Sequence, residues 1–146
     1  MADVQVEVQG LEQLRKKMRS AGPELAARAL EKALQAGGAV IEKAVRTRAS
    51  KHVKTGELLA DLHTEVAVSS NGLSGRALIG FRKQAYKARW VEFGHREVSH
   101  GLTKNERKKT GHVPAHPFMR PAFDESKTEA KETVTKVLAE GLREIE

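Results

Sequence analysis

The chain has 146 residues, about one domain's worth, with 39% hydrophobic and only 4% aromatic residues. It has no cysteine, which excludes a disulfide scaffold and any thiolate zinc or iron–sulfur site. Its 26 Lys and Arg against 19 Asp and Glu give a net charge of +7; no apolar run nears the roughly 20 residues of a membrane helix, and MADVQVEVQG lacks the layout of a secretion signal, so neither class is expected.

Val4, Val6 and Val8 alternate with Gln5, Glu7 and Gln9, the period of a short strand ended by Gly10. Leu11, Leu14 and Met18 recur at helical spacing until Gly22-Pro23, and Pro23 suits the first turn of the next helix. Residues 24–49 predict the main helix, with Leu30, Leu34, Ile41 and Val45 on one stripe and Ala33, Gly37 and Ala44 beside it. Gly37-Gly38 costs that helix about 1 kcal/mol per glycine relative to alanine, and either admits a close neighbour or marks a kink.

Residues 50–57 read as a loop. Leu62, Thr64, Val66 and Val68 alternate with His63, Glu65 and Ala67, the turn formers of Ser69–Gly75 follow, and Arg76–Phe81 returns: a β-hairpin with an exposed, mobile tip. Residues 85–93 fit helix or strand, and the spacing of Tyr86, Trp90 and Phe93 favours helix. A long basic loop covers about 94–117, and residues 121–146 return to helix, with Phe123, Ala130, Val134, Val137, Leu138 and Ile145 on one stripe. Asp124 and Glu125 suit the positive end of its dipole. The expected fold is α+β: a small antiparallel sheet, made of the N-terminal strand and the central hairpin, packed by a long N-terminal and a C-terminal helix in one domain, 1–146.

Catalysis finds no support. His95, His100, His112 and His116 cluster in sequence, but no cysteine joins them and Pro114 interrupts a metal-binding helix, so solvated histidines are the reading and no cofactor or metal is expected. There is no phosphate loop and no nucleophile elbow. Charge is polarised: residues 94–120 carry +4 and residues 121–146 carry −3. The run with Lys104, Arg107, Lys108 and Lys109 suits phosphates without reading bases, and sequence-nonspecific DNA binding is the alternative function.

Three landmarks stand in order: Thr55-Gly56-Glu57-Leu58 after the long helix, Ala88-Arg89-Trp90-Val91-Glu92-Phe93-Gly94 after the hairpin, and Pro114-Ala115-His116-Pro117-Phe118-Met119-Arg120-Pro121-Ala122-Phe123 before the last helix. With the opening Val4–Leu11 pattern, the chain resembles the minor tail-component family of long-tailed, lambda-like bacteriophages. It departs from that family in His95, where Thr usually follows the glycine, and in its long basic insertion. The resemblance implies a structural virion protein that completes the head-proximal tail end and joins it to the head at the neck. Its partners would be itself, as a hexameric ring, the tail terminator or tail tube protein, head-closure or connector proteins, and the genomic DNA passing through the lumen.

On that resemblance Gly56 would permit a turn and Leu58 anchor it. Trp90, Val91 and Phe93 would pack a core or interface with Glu92 capping or pairing locally. Gly94 would close the second landmark, Pro114 and Pro117 would hold the chain extended, and Phe118 and Phe123 would plug an apolar site. Arg82, Lys83, Lys87, Arg89 and the Lys104, Arg107, Lys108 and Lys109 run are the candidates for a DNA channel or docking surface.

Overall fold

The computed structural model describes residues 11–52, 56–96 and 111–144. The expected strand at Val4, Val6 and Val8, together with Thr55, His100, Lys104, Arg107, Lys108, Lys109 and Ile145, lies outside them. In chain order come α1 (Leu11–Ala21), α2 (Pro23–Ala49), α3 (Glu57–Asp61), β1 (Leu62–Val68), β2 (Gly75–Phe81), α4 (Ala85–Phe93), β3 (His95–Arg96), β4 (His112–Val113) and α5 (Met119–Arg143). This is the α+β arrangement expected. Among the described residues no helix is long and apolar enough to cross a membrane.

α2 is the centre. Pro23 opens it, where a missing N–H costs nothing, and 27 residues carry it about 40 Å at 1.5 Å each. One side takes the antiparallel hairpin, in register from Leu62↔Phe81 to Val68↔Gly75, and the other takes α5. Gly37 and Gly38 explain how three layers fit. A Cβ on Gly37 would run into Val134 Cγ2 of α5, and one on Gly38 would stand 2.6 Å from Thr64 Cγ2 of β1. The glycine pair is therefore a waist admitting close neighbours on two sides, and α2 continues through it as one helix.

The waist separates two apolar clusters. Met18, Ala26, Ala29, Leu30, Ala33, Leu138 and Leu142 form one; Val45, Ala49, Leu58, Leu62, Ala88, Phe118 and Ala122 form the other. Polar bonds stitch α2 to the hairpin side: Thr64 Oγ1 donates to Glu42 at 2.6 Å, and Arg46 donates to Glu42 at 3.1 Å and to the Leu59 carbonyl at 2.9 Å.

Several expectations change. α3 takes in Glu57, read as loop, and residues 58–61, where the sequence suggests no element. The hairpin tip is tied down rather than loose: Asn71 Oδ1 accepts from Leu73 N at 3.0 Å, Leu73 packs on the first cluster, and Gly72, at φ +69°, lies buried against the first turn of α2. A side chain at Gly72 would meet both an unfavourable dihedral and the Ala27 amide. Gly56 has φ −68° and ψ −4° with open space where a Cβ would stand, so its turn makes no use of glycine's freedom. Phe123 plugs no apolar site: it is 44% exposed, because α5 meets α2 through the small residues Ala122, Ser126 and Ala130 and leaves a ring no room there. α5 begins at Met119, so Asp124 and Glu125 sit past its first turn.

Candidate functional site

The described parts of the three sequence landmarks meet at one end of the molecule, where Leu58, Ala88, Phe118 and Ala122 share one buried cluster. Asp61, closing α3, sets the geometry. Its Oδ2 accepts from the amides of Arg82 and Gln84 at 2.8 Å each, bending the chain from β2 into α4. His63 Nε2 accepts from Arg82 Nε at 3.0 Å, and its Nδ1 lies 3.1 Å from the Asp61 carbonyl. The amide of Gln84, more than those of Lys83 and Arg82 or the field of His63, holds the Asp61 carboxyl below its ordinary pKa against the opposing effect of desolvation. A carboxyl whose pKa is lowered on folding contributes stability above its unfolded pKa and loses it as pH falls through the folded one. The melting temperature should therefore drop between about pH 5 and about pH 3, and Asp61→Asn should flatten part of that drop in a thermal melt series. Glu125, held down mainly by its hydrogen bond from Arg48, acts in the same direction and leaves the rest of the slope.

Glu92 performs the second task. α5 has Phe118 at its N-cap, a residue with no side-chain acceptor, so its first amides need an outside partner. Glu92 provides it from α4: Oε2 accepts from Phe118 N at 2.8 Å and Met119 N at 2.9 Å, and Oε1 accepts from Arg120 N at 3.2 Å. The carboxylate also meets the positive end of the helix dipole. Glu92→Ala should cost about 1–3 kcal/mol in chemical denaturation, and Glu92→Gln, which keeps one acceptor oxygen, should cost less. The partner lies 26 residues on rather than locally. The legible signal was an α5 start with no Ser, Thr, Asp or Asn at its head.

Gly94 then turns the chain at φ +73°, with the Val113 carbonyl 2.7 Å from where a Cβ would stand, a position only glycine fills comfortably. β3 and β4 pair His95 with Val113 and Arg96 with His112. His116 N donates to the Val91 carbonyl at 2.8 Å, which fastens the proline-rich segment to α4 and lodges Phe118 at 0% exposure against Phe81. Leu58 is buried in the same cluster, and Pro117 sits exposed beside Phe93 on a groove wall.

The outer side of α4 is different. Tyr86, Trp90 and Phe93 are 50%, 48% and 70% exposed, so Trp90 and Phe93 belong to the surface and not the core. Tyr86 meets Trp90 edge-on at 5.2 Å, and Trp90 stacks on His95 at 5.2 Å. Between Phe93, Phe81 and Met119 runs a groove of about 440 Å³ with Arg89 and Arg120 on its walls. Of the predicted cations, Arg82 is held by His63 and Lys87 by Glu57 at 3.3 Å, whereas exposed Lys83 and Arg89 have no side-chain partner among the described residues. Those residues also hold no group of three or more histidines, cysteines or acids placed to bind a metal.

Neither curated proteins nor solved structures gave a match to the chain. Residues 12–94, more than half of the chain, match the family described as "Bacteriophage HK97-gp10, putative tail-component". That span takes in the long helix, the hairpin, and α4 through Gly94, and it agrees with the resemblance of the motifs. The chain belongs to the HK97 gp10-like family of bacteriophage tail components.

Proposed function

We propose that this tail component is a virion subunit that completes the head-proximal end of the tail and joins it to the head, acting as one domain in a ring around the DNA channel. The observation that carries the reading is the aromatic row on α4. Three adjacent exposed aromatics beside Arg89, which has no side-chain partner among the described residues, make a surface suited to a protein partner. A closed ring needs two different complementary faces on each subunit, and the outer side of α5, with Asp124, Glu129, Glu132 and Glu140 exposed, offers an acidic counterpart. Of the predicted channel cations among the described residues, Lys83 and Arg89 have no side-chain partner and are left to face a neighbour or DNA.

The test is deletion of the gene in the parent phage or prophage, with negative-stain imaging of the lysate. Filled heads beside unjoined tails are expected, and purified protein should restore infectious particles. Trp90→Ala with Phe93→Ala should leave the melting curve almost unchanged, because both rings are on the surface, yet abolish that rescue. Normal infectious particles from the deletion strain would overturn the neck reading.

A further inference from the structure

Trp90 also walls a second feature, a cleft of about 400 Å³ between the end of α2, β3 and the proline-rich segment. Its titratable lining groups are Lys51, His52, His95 and His116, and no carboxylate is among them. His52 and His116, 64 positions apart, stack with centroids 5.0 Å apart and planes 19° from parallel. His95 stacks on Trp90 in the same wall, and its Nδ1 is buried with no hydrogen-bond partner among the described residues. The elements packed around the cleft also carry Arg48, paired with Glu125, the exposed Arg96 and His112, and Arg89 and Arg120, which line the other groove. Their carboxylates are engaged: Glu125 by Arg48, Glu92 by the start of α5, and Asp124 beside Lys127 at 4.0 Å. Lys51 also lies in the field of Glu125.

From this geometry we infer that the cleft is a phosphate-binding site. Phosphate oxygens only accept hydrogen bonds, Lys51 and the imidazoles can donate them, and imidazoles gain charge between about pH 5 and pH 8. The volume falls within the usual range of about 300–1,000 Å³ for ligand sites, room for more than one phosphate. The source of the phosphate rests on the ring reading: there it is the backbone of the passing DNA, contacted without regard to sequence. Free inorganic phosphate shares the chemistry.

The experiment follows the histidine ring resonances of the full chain by NMR at about pH 6 and about pH 8. One arm adds a short DNA duplex and the other inorganic phosphate. DNA should shift the rings of His52, His95 and His116 and leave His63, already held between Arg82 and Asp61, unmoved. Binding should be about tenfold tighter at the lower pH, and His52→Gln with His116→Gln should remove that increment while circular dichroism stays native. An equal response to inorganic phosphate would keep the site and overturn the DNA source. Silent rings in the wild-type chain, or an increment unchanged in the double variant, would overturn the inference. Unjoined heads in the deletion strain with silent rings would overturn this inference alone; joined particles with responsive rings would overturn the neck reading alone.

Discussion

Phe118→Ala is expected to lower stability by about 3–5 kcal/mol, the range for emptying a buried aromatic site. Phe118 is 0% exposed and meets Phe81 edge-on at 6.0 Å. Its buried cluster includes Ala49, Ala88 and Ala122, side chains too short to fill the space left behind. The backbone amide stays bonded to Glu92, so the loss reports packing rather than capping. Urea denaturation of the variant beside Phe123→Ala provides the check. Phe123 is 44% exposed, and its truncation should cost no more than about 1 kcal/mol. Equal losses at the two positions would contradict the burial described above.

Gly37→Leu should cost about 2–3 kcal/mol even though it improves helix propensity by up to about 1 kcal/mol. The new Cβ would collide with the stiff Val134 side chain and stand 3.2 Å from the Ala130 carbonyl, so the rest of the leucine has nowhere to go without parting α2 from α5. Gly56→Ala is the control. Its dihedrals are ordinary and its surroundings open, so it should be neutral or stabilise by up to about 1 kcal/mol. Thermal melts of both variants separate the steric effect of the waist from the general effect of removing a glycine.

Periodicity alone located what is periodic. The stripe Leu30, Leu34, Ile41 and Val45 and the alternation from Leu62 to Val68 mark α2 and the hairpin, because each has one apolar face to bury. Tyr86 and Trp90 four residues apart signalled α4, and they do meet. Other features depend on contacts between distant segments, which no local pattern encodes. α3 is five residues long, below the length at which periodicity speaks. The hairpin tip looked loose from its composition, yet Leu73 and Gly72 pack on the start of α2. Phe123 fitted the apolar stripe of α5 but falls outside the narrow seam of small residues. The exposed aromatics of the candidate site were legible as aromatics. Their exposure was not, because hydrophobic character predicts burial equally well in a core or under a partner. The Arg82–His63 and Lys87–Glu57 pairs were likewise invisible in a sequence that only counts charges.

The reach of Glu92 also bears on where this protein can be cut. The family match ends at Gly94, and a fragment stopped there would hold the whole of the matched span. It would keep the carboxylate but lose the helix start that the carboxylate holds. It would also strip the cover from Ala29, Gly37 and Val45 along one side of α2. Such a fragment would carry an apolar strip along its main helix and clump in solution, so expression boundaries for this protein are better drawn beyond α5 than at the edge of the family match.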